Sequence, residues 1–244
     1  MRFFISGGYH QDPVHRERLL NGMKLLQSQF GIPAFVAVEA NCALFKAVIM
    51  KQRKLFITLA QQDQEMAAVP DTAKKALSKA ILYEADTHEE VFGKTLKIIW
   101  LDDYRTDFDW ILDPCDTARN YLKTCRDALK KCVNTTDNRE VLSSVNTFIT
   151  EQVQSHLLES NKTLLEKFLP GKARSNPYER DKIWVKVISK NASPQSGYAI
   201  IAVGVPHAFY KERYLGAQLK KKGYDCHLRL LAETGDEPPT SWSS

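Results

Sequence analysis

The front of the chain reads FFISGGYHQDP over residues 3–13, and this stretch decides the predicted fold. It begins as a short apolar run of strand length, and Asp12-Pro13 then supplies a helix N-cap followed by proline at the first helical position. Apolar side chains recur at helical spacing over residues 19–30 until Gly31 interrupts the pattern, and a second apolar run, FVAVE, follows at 35–39. The pattern predicts a β-α-β unit with parallel strands and a right-handed crossover.

Strand and helix patterns continue along the rest of the chain. Further strands are predicted at residues 97–101, 198–203 and 226–231, the last as an edge strand. Further helices are predicted at residues 41–63, 71–83, 180–190 and 211–222. We therefore predict an α/β fold with a mostly parallel central sheet flanked by helices.

The domain organisation follows from what lies between these elements. Residues 105–170 lack strand patterns and predict a helical insertion that could cap the sheet. No low-complexity linker divides the chain, so we expect a single domain over residues 1–234. The polar stretch at 235–244 contains two prolines and predicts a flexible tail.

Composition narrows the function classes. Of the 244 residues 43% are hydrophobic, which is sufficient for a core, and the net charge of +5 comes from 34 basic and 29 acidic residues. The chain has no long basic block with interleaved aromatic residues, so nucleic acid is not a predicted partner. Its five cysteines form no CxxC pair, which favours reduced thiols over a disulfide framework. We predict a cytoplasmic protein, because the sequence shows neither a signal peptide nor an apolar run of roughly 18 residues.

Polar side chains follow four of the predicted strands at the point where each strand ends. In chain order they are His10, Glu39, Asp102 and Asp103 with Arg105, and His207 after Gly204-Val205-Pro206. Open α/β sheets bind ligands beyond the carboxyl ends of their strands, where adjacent loops diverge. The sequence therefore predicts one polar pocket at this edge.

The residue types suggest chemistry, each with a structural alternative. His10 could be a general base or a metal ligand, or a loop histidine bonded to a carbonyl group. Glu39 closes an apolar strand and needs a partner or a metal, so its alternative is a salt bridge to Arg105 or Arg180. His15 lies one turn into the first helix and could support substrate binding or be a satisfied, buried histidine.

The charged residues after the third predicted strand and the motifs absent from the chain limit the kinds of site further. Asp102, Asp103 and Arg105 could bind substrate or form a charged turn. Imidazoles with a carboxylate would suit zinc, manganese or cobalt with an open position for water. The HExxH, GxSxG and GxxxxGK[ST] patterns are absent, which argues against zincins, serine hydrolases with a nucleophile elbow and P-loop enzymes.

Three segments together resemble one superfamily: GYHQDPVH at 8–15, VAVEAN at 36–41 and GVPHAFY at 204–210. The superfamily joins Tiki metalloproteases, TraB/PrgY pheromone-shutdown proteins, erythromycin esterases and ChaN-like proteins. The Arg-Asp pair at 180–181 is similar to its Arg-Asn or Arg-Asp helix, and LDDYR at 101–105 resembles its Asp-Arg turn. A Gly-Gly-Tyr-His turn stands here in place of the family's Gly-Thr-x-His, and the helical insertion matches no part of the family pattern.

The resemblance implies roles for specific residues. His10, Glu39 and the Gly-x-x-His motif ending at His207 match the family's site positions. They imply hydrolysis of an ester or amide bond in a small molecule or peptide. By likeness to Tiki proteins, these three side chains would hold manganese, cobalt or zinc. By likeness to erythromycin esterases, a histidine with Glu39 would activate water directly. In both versions Arg180 would stabilise the oxyanion or hold a substrate carboxylate.

Two other function classes remain open from the sequence. The superfamily includes haem-binding and signalling members, so the same fold could be a non-catalytic module that binds haem or a small acidic ligand. The helical insertion and the basic helices could alternatively serve protein–protein interaction.

Overall fold

A computed structural model describes residues 1–40, 42–103, 114–130, 137–159, 177–193, 197–208 and 215–230. Its five strands are β1 (Arg2–Gly8), β2 (Val36–Val38), β3 (Ile98–Trp100), β4 (Tyr198–Gly204) and β5 (Asp225–Leu230). The strand order is β3-β2-β4-β1-β5, and each neighbouring pair is parallel. The predicted α/β class with a parallel central sheet is confirmed, and β5 is the edge strand that the sequence predicted.

The helices fill the connections between these strands. They are α1 (Pro13–Phe30), α2 (Cys42–Gln62), α3 (Asp71–Ala80), α4 (Thr87–Phe92), α5 (Pro114–Leu129), α6 (Asn138–Glu159), α7 (Pro177–Asn191), α8 (Val205–Ala208) and α9 (Leu215–Lys221). The predicted cap of α1 forms, since Oδ1 of Asp12 accepts hydrogen bonds from the backbone N–H groups of Val14 and His15. The helix predicted to reach Tyr83 ends earlier because Leu82 adopts a left-handed φ of 49°, and a 3-10 turn follows at Tyr83–Ala85.

Alternate side chains of the strands face two different cores. Phe3 and Ile5 of β1 pack with residues of α7 and α9, including Trp184 and Leu219. Phe4 points to the opposite face, into a core shared with α1. A parallel sheet with helices on both faces needs apolar residues on both sides, which explains the continuous apolar runs in the sequence.

The region predicted as a helical insertion contains α5 and α6. These helices share a third core with α2 and α3, and α6 also contacts α1. Residues 104–113, 131–136 and 160–176 of this region lie outside the described residues, as do Arg105 and the predicted tail at 235–244. Across the helices that the structure describes, none combines the length and the apolar character required to cross a membrane.

Candidate active site

Glu39 lies at the centre of the predicted pocket, directly after β2. Its Oε1 accepts a hydrogen bond of 2.8 Å from Nη2 of Arg180, and its Oε2 accepts one of 2.7 Å from the backbone N–H of Gly204. The side chain is 10% exposed. Of the two arginine partners considered from the sequence, Arg180 is therefore bonded to the carboxylate, and Arg105 lies outside the described residues.

His10 follows β1 and approaches the same carboxylate across Gly204. A Cβ atom placed on Gly204 would lie 3.2 Å from both Oε2 of Glu39 and Nε2 of His10. The other ring nitrogen, Nδ1, donates to Oε1 of Glu84 at 2.8 Å. Although protein atoms surround the ring, 43% of the His10 side chain is exposed, so solvent and ligands reach it.

His207 lies close to the other carboxylate oxygen of Glu39. It lies in α8, the short helix that continues β4, and its side chain is 5% exposed. Its Nδ1 donates to Oδ1 of Asp181 at 2.6 Å, and its Nε2 lies 3.7 Å from Oε1 of Glu39. Two imidazoles thus present Nε2 to the surroundings of one carboxylate, while each Nδ1 is bonded to a carboxylate of its own.

Arg180 joins the site to the third strand. Its Nη2 donates to Oδ2 of Asp102 at 2.7 Å as well as to Glu39. The guanidinium group lies over the ring of Trp184, and the indole N–H of Trp184 donates to Oδ1 of Asp102. Asp102 is therefore part of the network around the pocket, whereas the neighbouring Asp103 is exposed.

His15 supports the turn that carries His10. It is fully buried, and its Nδ1 accepts a hydrogen bond of 2.9 Å from the backbone N–H of Tyr9. Asp12 in the same turn accepts a further hydrogen bond from Asn146 of α6, so the helical insertion also holds this turn. Among the described contacts of His15, none reaches Glu39 or Arg180, and its predicted substrate-binding role remains a prediction.

The charge states of the site follow from its contacts. Burial raises the pKa of Glu39, but His207, Arg180, His10 and the Gly204 N–H outweigh it and lower this pKa to about 2. Burial lowers the pKa of His10, but the charge and hydrogen bond of Glu84 and the charge of Glu39 raise it to about 9. At neutral pH the site therefore holds a carboxylate at Glu39 and an imidazolium at His10.

Glu84 is the site residue that sequence reasoning missed. It is buried in the 3-10 turn Tyr83–Ala85, a turn with no motif of its own. The available signal was an acidic residue between Tyr83 and Ala85 in an otherwise apolar stretch. Asp181 belonged to the recognised Arg-Asp pair, but its bond to His207 depends on how α7 packs against β4.

The observed arrangement does not fit the predicted metal set of His10, Glu39 and His207. Both oxygens of Glu39 already accept hydrogen bonds, and the guanidinium of Arg180 lies beside them. Among the described residues, no group of three histidine, cysteine or acidic side chains is arranged to hold a metal ion. A manganese, cobalt or zinc site here stays a prediction from the sequence.

Comparison with known proteins returned no family model, no curated protein and no solved structure that matches the chain. The resemblance to the Tiki, TraB and erythromycin esterase superfamily therefore stays a prediction from its short motifs.

Proposed function

We propose that this protein hydrolyses an ester or amide bond in a small molecule or peptide, with His207 as general base and His10 as oxyanion donor. One observation carries the proposal. Nε2 of His207 lies 3.7 Å from Oε1 of Glu39, and Nε2 of His10 and Oε2 of Glu39 both pack closely against Gly204. Each ring is held through Nδ1 by a separate carboxylate. An imidazole oriented in this way is the most common general acid or base in enzymes near neutral pH.

His207 is suited to activate water. Because its Nδ1–H donates to Asp181, the nitrogen of the ring that can accept a proton is Nε2, on the side of Glu39. The 3.7 Å between Nε2 and Oε1 of Glu39 exceeds a direct hydrogen bond, and one water molecule held beside both atoms can donate to each. Such a water is oriented for attack, and its proton passes to His207.

The remaining steps of the reaction use only the water molecule, the substrate and the side chains described above. The water oxygen bonds to the substrate carbonyl carbon, and the carbonyl oxygen acquires negative charge. The imidazolium of His10 faces the pocket through Nε2–H and is the exposed donor for that oxyanion. When the tetrahedral intermediate collapses, the C–O or C–N bond breaks and the leaving group takes the proton from His207. An acid and an alcohol or amine are released.

Arg180 and Glu39 organise this chemistry. Because Nη2 of Arg180 is shared by Glu39 and Asp102, we assign it the role of positioning Glu39 in place of the oxyanion role considered from the sequence. Glu39 remains ionised and fixes the water through Oε1. Both residues belong to the motifs that resemble the superfamily, which agrees with a role in hydrolysis.

The test is a panel of chromogenic ester and amide substrates, measured with the wild-type protein and with His207→Gln. We expect turnover of at least one substrate and a loss of roughly 100-fold or more in kcat for His207→Gln. Glu65→Gln is the matched control, because Glu65 is exposed and pairs with Arg126 away from the pocket. Equal rates in wild type and His207→Gln would contradict the proposed base.

A second candidate, a non-catalytic binding module, is favoured by one observation. Both oxygens of Glu39 are engaged and its pKa is about 2, so this carboxylate is a weak base that suits a structural or ligand-holding role. An exposed imidazolium at His10 would attract an acidic ligand, and the ring could alternatively ligate haem. A protein inert on the whole panel that binds carboxylic acids or haem stoichiometrically would favour this candidate.

A further inference from the structure

The contact between Glu84 and His10 determines which nitrogen of the His10 ring lies beside Glu39. The Glu84 side chain is 5% exposed, and its Oε1 lies 2.8 Å from Nδ1 of His10, 74 residues earlier in the chain. A buried carboxylate is costly unless it has a defined partner. This bond leaves Nε2 as the ring nitrogen that lies beside Gly204 and Glu39.

The backbone on both sides of the pair is held in an unfavourable conformation. Among the described residues other than glycine, positive φ angles occur at Gln11 (65°) and Leu82 (49°). Gln11 directly follows His10, and Leu82 precedes Glu84 by two positions. A left-handed residue other than glycine is unfavourable and persists only where the surroundings impose it. Strain at both partners indicates that the fold fixes this contact.

We propose that Glu84 is a positioning residue that fixes the ring of His10, so that Nε2–H is directed at Glu39 and at the carbonyl oxygen of a bound substrate. The part concerning substrate rests on the proposed function, whereas the part concerning the ring rests on the geometry alone. The second pair, Asp181 with His207, orients the base independently. Loss of Glu84 should therefore weaken oxyanion stabilisation and leave the base intact.

Kinetics test the role in hydrolysis with Glu84→Ala, Glu84→Gln and the control Glu65→Gln. For Glu84→Ala we expect kcat to fall by roughly 10- to 100-fold with little change in KM, because the interaction matters most in the transition state. Glu84→Gln should recover part of the rate, since its amide oxygen still accepts from Nδ1–H. Unchanged kcat in Glu84→Ala would overturn the proposal.

Proton NMR of protein with labelled histidine rings tests the orientation without any substrate. The wild type and Glu65→Gln should show a hydrogen-bonded, far-downfield Nδ1–H resonance, assigned to His10 by its loss in His10→Asn. The resonance should disappear in Glu84→Ala. If it is absent from the wild type, the proposal fails even where Glu84→Ala does not fold. If the resonance behaves as expected but no panel substrate is turned over, the hydrolase proposal fails and the orientation by Glu84 stands.

Discussion

The backbone N–H of Gly204 donates a hydrogen bond of 2.7 Å to Oε2 of Glu39, across 165 positions of the chain. The same glycine leaves room for Nε2 of His10, because a Cβ atom there would lie 3.2 Å from both side chains. A contact of that length forces a neighbour to move. The close approach thus explains why glycine, which lacks a Cβ, occupies the end of β4.

We therefore expect Gly204→Ala to displace Glu39 and His10 by a few tenths of an ångström. Activity in the proposed reaction should fall roughly tenfold, since small misplacements of reacting groups are costly. Stability should change little. Gly197→Ala is the matched control, because a Cβ at Gly197 meets no atom within 4 Å. Equal kcat values for the two variants would show that the packing against Gly204 is not needed for activity.

Removal of Arg180 should destabilise the protein. Arg180→Met leaves the carboxylates of Glu39 and Asp102 buried without their shared cation, which costs about 3–5 kcal/mol in comparable cases. Urea denaturation measures this difference. In the control Arg126→Met, the side chain removed is 35% exposed and pairs with Asp63 and Glu65, and we expect a much smaller change than for Arg180→Met. A similar small change for Arg180→Met would contradict the predicted role.

His15 should make stability depend on pH. Burial lowers the pKa of His15 to about 3, against an ordinary histidine pKa of 6.5, so the unfolded chain binds the proton more readily. The contribution of His15 to the free energy of unfolding is fully present above pH 6.5. The free energy of unfolding should fall as the pH decreases from 6.5 towards 3, by roughly 1.4 kcal/mol for each pH unit. His15→Gln should reduce this dependence of the free energy of unfolding on pH, as measured by urea denaturation at several pH values between 7 and 4. A slope unchanged in the variant would assign the acid sensitivity to other groups.

Metal analysis separates the two mechanisms that the sequence left open. Since both oxygens of Glu39 are occupied, we expect substoichiometric manganese, cobalt and zinc in the purified protein, and no loss of activity with a chelator. One equivalent of metal that disappears in His207→Gln would instead support the Tiki-like metal set.

Much of the fold could be predicted from the sequence because the patterns that specify its strands and helices lie within short stretches of the chain. The apolar runs at β1, β2 and β4 and the Asp12-Pro13 cap specify a parallel sheet with a crossover helix. Parallel strands share one carboxyl edge, so the positions of Glu39 and His207 after their strands were enough to predict that the two approach each other.

The remaining features depend on packing that no local pattern encodes. The strand order places β4 between β1 and β2, and no pattern in the sequence specified that arrangement. The turn that carries Glu84 begins at a left-handed leucine, a conformation that the residue type disfavours. The short helix α4 was likewise not predicted. These local conformations depend on contacts between residues that are far apart in the chain.

The position of β4 has a consequence for chain synthesis. In the described sheet, β1 pairs with β4 and β5, and β2 pairs with β3 and β4, so β4 alone bridges the two parts. On the ribosome, the chain that emerges before β4 would hold β1 without either of its partner strands and β2 with one edge unpaired, until residue 204 is exposed. A nascent chain halted before β4 should thus be a substrate for chaperones, and release of β4 would join β1 to the β2–β3 pair, with β5 adding to β1 afterwards.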